Sequence, residues 1–205
     1  MRKLIVLPFA IALVLLPPAA YVAYPLYTAW ALREAIRSGD AAYLERKIEW
    51  PSVRETLRES LTRVAFDMPD PETQPGVKPS LWKRFKAYVG GGAVNTLIDR
   101  YVTPEGLPQL FEYRQIYRAN IQGLPDEKTI PVMERMKAFW ARIIRAEFKS
   151  LSAFEVELAD RFEPTRHHIG LLELVGFEWK LKELHIKDVQ LPGASLATTI
   201  LPTDR

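Results

Sequence analysis

From Leu4 to Leu32 the chain carries no charged residue; the run reads LIVLPFAIALVLLPPAAYVAYPLYTAWAL. About 20 apolar residues suffice for a helix to cross the hydrocarbon core of a bilayer, so this run is long enough to span one. A domain that follows it is then held at a membrane surface. Arg2 and Lys3 precede the run, the usual positive flank on the cytoplasmic side. Tyr21, Tyr24, Tyr27 and Trp30 close it, as amphipathic rings do at a membrane–water interface. A cleaved signal peptide is the competing reading, with Leu4–Leu16 as its apolar segment and a cut near Ala19-Ala20 or Ala23. The small-residue cleavage pattern is poor, because a cut after Ala20 or Ala23 puts Pro18 or Tyr21 where a small side chain belongs. An uncleaved transmembrane signal anchor over residues 1–25 is therefore expected. Pro17-Pro18 predicts a less regular helix there than hydropathy alone suggests.

Residues 26–190 read as one α+β domain, followed by a loose tail over 191–205. Leu26–Arg37 has helical spacing. Ser38-Gly39-Asp40 is a stop and restart, with Gly39 suited to a left-handed position and Asp40 to capping a second helix that ends near Ile48. Pro51 fits the first turn of a third helix, in which Val53, Leu57, Leu61 and Val64 recur at helical spacing. Pro69, Pro71, Pro75 and Pro79 make 67–79 a loop. A helix restarts at Leu81 with Trp82, Phe85 and Tyr88. Gly90-Gly91-Gly92 predicts a kink or break in it, because each glycine costs about 1 kcal/mol against alanine. Helix resumes through Val94, Leu97, Ile98 and Tyr101. Thr103-Pro104-Glu105 caps a short helix toward Phe111, and 123–131 is a loop. Val132–Lys149 reads as one long helix, with Met133, Met136, Trp140, Ile143 and Phe148 broadly on one face.

The period then changes from helical to two. Phe154, Val156 and Leu158 alternate with Glu155 and Glu157, a half-buried strand. His168–Val175 is a second strand, apolar on both faces, and Gly176 marks a turn. Phe177, Trp179 and Leu181 form a third strand whose alternation slips at Glu183, which predicts a bulge. Such short connections require an antiparallel meander. The expected architecture is an N-terminal transmembrane helix, then a helical region packed on a C-terminal antiparallel sheet of three or more strands.

Tyr27–Leu61 resembles the opening signature of the DUF2939 family, bacterial membrane-anchored proteins of unknown function. Leu32-Arg33-x-Ala35-Ile36-x-x-Gly39-Asp40 and Trp50-Pro51-x-x-Arg54-x-x-Leu57 carry the likeness, with Val102-Thr103-Pro104-Glu105-Gly106-Leu107 and the closing Gly176-Phe177-x-Trp179-Lys180-Leu181. The resemblance implies no activity. The order of helices followed by a sheet is also similar to the cystatin/NTF2-like superfold, which hosts isomerases, ligand binders and assembly modules alike.

Candidate chemistry is sparse. There is no cysteine, which removes disulfides, thiolate catalysis and cysteine-based zinc sites. The net charge of +3 is small, and the basic clusters Arg46-Lys47 and Lys83-Arg84-Phe85-Lys86 read as solvated helix faces, so no nucleic acid is expected as a partner. His167 and His168 point to opposite faces of a strand, so they cannot share a metal. Glu155 and Glu157 lie opposite the apolar face and read as solvated rather than catalytic. Phe154, Val156, Trp179 and Leu181 are candidate walls of an apolar cavity, if the sheet curves into a cone. No cofactor and no enzymatic activity are expected. The expected role is an accessory or interaction module, tethered by a single span to a bacterial inner membrane with its N-terminus cytoplasmic and its domain periplasmic. Its partners are the bilayer and a larger membrane protein assembly. Binding of a lipid or small apolar ligand is the alternative, and an enzyme of unknown reaction the third.

Overall fold

The computed structural model describes residues 2–65, 81–121, 129–160 and 165–188, with the backbone alone at 2–17, 65, 81–89, 93, 114 and 117–121. Six helices precede four strands: α1 (Arg2–Ser38), α2 (Ala41–Lys47), α3 (Trp50–Ala65), α4 (Leu81–Tyr101), α5 (Gly106–Ile121), α6 (Val132–Trp140), β1 (Ile143–Ser150), β2 (Ala153–Ala159), β3 (Arg166–Val175) and β4 (Glu178–Asp188). The α+β class is as expected. The Pro-rich segment 67–79, residues 123–128 and the tail 191–205 lie outside the described residues, as do the side chains of Leu81–Val89.

The helix punctuation follows local chemistry. Gly39 has φ +77°, a left-handed value that favours glycine, and the carboxylate of Asp40 accepts from the Tyr43 amide at 2.9 Å to cap α2. Thr103 Oγ1 accepts from the Gly106 amide at 2.9 Å at the start of α5, which continues to Ile121 rather than stopping near Phe111. Neither Pro17-Pro18 nor the glycine triplet ends its helix. Helix α1 runs through Pro17-Pro18, although each proline lacks a backbone donor and crowds the carbonyl four residues before it. Helix α4 runs through Gly90-Gly91-Gly92. A Cβ at Gly91 or Gly92 would meet nothing within 4 Å, so close packing is not their purpose. The helix is held instead by Ile98 near its C-terminal end, which is buried in the core along with Val102 just beyond it.

The sheet is a meander in the order β1-β2-β3-β4, all pairs antiparallel. Its first strand overturns the expected long helix over Val132–Lys149, because α6 ends at Trp140 and β1 occupies Ile143–Ser150. The apolar residues of that segment fit a helical stripe, but Arg145, Glu147 and Lys149 alternate at period two. On one face of the strand they meet the acids of β2, with Arg145–Glu155 at 2.8 Å, Arg145–Glu157 at 3.3 Å and Lys149–Glu155 at 3.2 Å. Phe148 then faces inward opposite Phe154.

Register fixes two faces. Phe148, Phe154, Val156, Leu172, Leu174, Trp179 and Leu181 point toward the helices, while the charged ladder and the β3 apolar pair Ile169 and Leu171 lie on the other face. Leu171 pairs with Glu183 but Leu172 with Leu181, which leaves Lys182 as the extra residue and puts the expected bulge in place. Beside this bulge, Ile48 bridges Leu181 in parallel, the Glu49 amide donates to Leu181 O at 2.9 Å, and the Leu184 amide donates to Thr56 Oγ1 at 3.1 Å. The α2–α3 region thereby covers the open edge of β4. The core is closed by Leu32, Ala35, Leu44, Ile48, Trp50, Val53 and Leu57 of the first three helices.

Among the described residues no helix is long and apolar enough to cross a membrane. For residues 2–17, the most apolar part of the uncharged run, only the helical backbone is described.

Candidate functional site

The residues expected to line a cavity are split by the structure. Phe154, Val156 and Trp179 are core side chains, Trp179 with no exposed surface, and Leu181 is partly buried against them. A cone interior at this place is filled. An apolar cleft of about 570 Å³ opens instead at one end of the sheet, where α1 passes the β3–β4 hairpin. Helix α1 contributes Ala20, Tyr21, Ala23, Tyr24 and Tyr27, and the hairpin contributes Leu174, Phe177 and Trp179. Three of the four rings expected at a membrane interface are thus brought together.

Aromatic packing builds the cleft floor. Tyr21 stacks on Phe148 at 5.7 Å with the planes 12° apart and sits 6.1 Å from Trp179. Phe148 meets Phe154 at 4.9 Å and Trp179 at 6.0 Å in edge arrangements. The Tyr21 hydroxyl donates to the carbonyl of Leu151, in the β1–β2 turn, so α1 is tied to the tip of that hairpin. The Leu174 amide donates to Ser152 O at 2.8 Å, which sets the two hairpin tips side by side. Lys47, largely buried, lies 6.0 Å from the Tyr24 ring and 3.5 Å from Glu178. Burial pushes the Tyr43 hydroxyl up to about 12, with Tyr27 and Tyr24 adding to the effect.

Trp30 stands apart from the other three rings. It is 9% exposed and packs its ring against Phe139 of α6 at 5.7 Å. One turn later Arg135 of α6 forks onto Glu34, Nη2–Oε2 at 2.8 Å and Nε–Oε1 at 3.3 Å. Burial raises the pKa of Glu34, but Arg135 and Arg37 outweigh it and hold the carboxyl below its ordinary value.

The acid–base candidates sit elsewhere. His167 Nδ1 is 2.7 Å from Glu157, and His168 Nε2 is 2.9 Å from Asp160. Glu155 and Glu157 are half-buried and held by Arg145, not freely solvated as expected. His185 contacts Glu183 at 3.2 Å. Among the described residues no group of three or more His, Asp or Glu side chains is placed to hold a metal ion.

Residues 14–110 match the family model DUF2939, a protein family of unknown function. The family likeness carried by Leu32–Asp40, Trp50–Leu57 and Val102–Leu107 is thereby shown over that span, which takes in the cleft's α1 wall and the helices that cover β4. No curated protein and no solved structure matches the chain. The cystatin/NTF2-like likeness therefore rests on element order alone.

Proposed function

We propose that the chain is a membrane-tethered, non-enzymatic accessory protein whose domain sits directly on the bilayer and docks on a larger membrane protein assembly. In this reading residues 4–23 span a bacterial inner membrane once, with the N-terminus cytoplasmic and the domain periplasmic. The observation that carries it is the continuity of α1. One helix contains the whole uncharged run, and the end of that run already buries Trp30 and Leu32, with Ala35 just beyond, among the domain's apolar side chains. A tether of this kind fixes the domain's height and direction, which suits a subunit that must meet a neighbour in the same membrane. Away from the cleft, α6 exposes Val132, Met133 and Trp140, and α5 exposes Leu110, Tyr113 and Ile116, apolar helix faces of the sort protein partners cover.

Purification of the full chain in mild detergent tests this. A stoichiometric partner should accompany the wild type and be lost from the Met133→Asp variant, which alters a residue 59% exposed on α6. A wild-type chain that purifies alone removes the basis of the reading. The aromatic cleft favours a second reading, a binder of one lipid chain or a similar apolar molecule, since its walls are almost wholly apolar. Lipid extracted from the purified protein in equimolar amount would support it.

A further inference from the structure

We propose that the two hairpin tips beside α1, carrying Leu151, Val175 and Phe177, insert into the headgroup region of the bilayer and hold the sheet upright on the membrane. This rests on the tether reading above. Three observations place the tips at that level.

First, a helix rises about 1.5 Å per residue and the hydrocarbon core is about 30 Å thick, so a span takes about 20 residues. Counted from Leu4, the first uncharged residue, it ends near Ala23. Second, the structure ties both tips to this part of α1. The Tyr21 hydroxyl bonds to the Leu151 carbonyl, and Phe177 lines the same cleft as Ala20, Tyr21 and Ala23. Third, the tips expose what water disfavours. Phe177 is 95% exposed and Leu151 84%, in tight turns where polar residues are the rule. Val175 beside them is also exposed, and so is Val22 on α1. Among the described residues the opposite end of the sheet exposes no such turn and carries Arg166–Asp188 at 3.3 Å and His168–Asp160 at 2.9 Å, whereas behind the Leu151 tip Lys149 pairs with Glu155 at 3.2 Å. A bilayer surface is the one occupant whose position α1 itself dictates. A protein partner would have to share that level with the headgroups.

The chain has no cysteine, so single sites can be labelled without further change. Full-length Leu151→Cys, Phe177→Cys, Ala10→Cys and Asp188→Cys variants, each carrying an environment-sensitive fluorophore, are reconstituted into phosphatidylethanolamine/phosphatidylglycerol vesicles. Lipids with a nitroxide near the headgroup or at mid-chain serve as depth quenchers. Labels at 151 and 177 should emit to the blue of the label at 188 and be quenched several-fold more strongly by the shallow nitroxide. The label at 10 should be quenched best by the deep one. If 10 is deep but 151 and 177 behave like 188, the tips do not insert and the tether survives. A label at 10 that no lipid quencher reaches removes the tether itself. Blue emission at 151 and 177 with no quenching by either lipid means that a second copy covers the tips, and overturns the proposal.

Discussion

At the Tyr21 end of the sheet, the turns present Leu151 and Phe177 and α1 presents tyrosines and alanines, with Lys47 paired to Glu178 at 3.5 Å and Lys149 to Glu155 at 3.2 Å behind the turns. At the other end, the same strands carry His167–Glu157, His168–Asp160 and Arg166–Asp188. Helix α1 repeats the contrast along its length, uncharged from Leu4 through Leu32 and then charged at Arg33, Glu34 and Arg37. Strand propensity cannot explain this, because both ends belong to the same four strands. The exposed apolar turns and the cleft residues of α1 lie at the same end of the sheet.

The contrast can be broken most severely at its apolar root. Trp179→Ala removes the fully buried ring that packs against both Tyr21 and Phe148 and should cost about 4 kcal/mol, a fall in Tm of about 10 °C by circular dichroism. At the charged level of α1, Glu34→Ala leaves the buried Arg135 guanidinium without its fork and should cost about 2 kcal/mol. The double variant with Arg135→Met should recover most of that loss in denaturant unfolding.

The same pair predicts a pH dependence. Glu34 has a folded pKa below its ordinary value of 4.5, so its stabilisation is present above pH 4.5 and is lost as pH falls through the lower, folded value. Amide exchange in α6 should accelerate over that acid range in the wild type and not in Glu34→Gln.

Glu157→Gln, at the polar end, weakens contacts to His167 and Arg145 and should cost about 1 kcal/mol by thermal unfolding. The smallest change in stability belongs to the exposed tips. Leu151→Ser and Phe177→Ser should shift unfolding free energy by no more than about 0.5 kcal/mol. A larger loss for either would show that the tip side chain serves the fold, and would weaken the contrast between the two ends.

Much of the local structure is legible along the chain. Gly39 and Asp40 punctuate α1 and α2 through φ and capping, and the alternation Phe154-Val156-Leu158 and the slip near Glu183 report strand faces and a bulge. The site is legible in part. Tyr21, Tyr24, Tyr27 and Trp179 can each be singled out, but nothing in their spacing joins the three tyrosines to the tryptophan. Residues 143–150 mislead because Ile143 and Phe148 extend the apolar stripe of α6, while the partners that make Arg145 and Lys149 a strand ladder lie on β2. The glycines of α4 mislead because intrinsic cost is a weak guide to a helix held from its C-terminal end by burial of Ile98.

By itself, then, the sequence determines the uncharged run, the family likeness over residues 14–110, the helix caps and the alternating strands, all of which depend on neighbours within a few turns of chain. Tertiary structure alone decides that Trp30 turns inward to Phe139 and that 143–150 is a strand. It also decides that Tyr21 meets Leu151 and Phe148 to build one apolar end. The ring contacts join residues more than 100 positions apart and the strand needs its partners on β2, and no local pattern encodes the free energy of either.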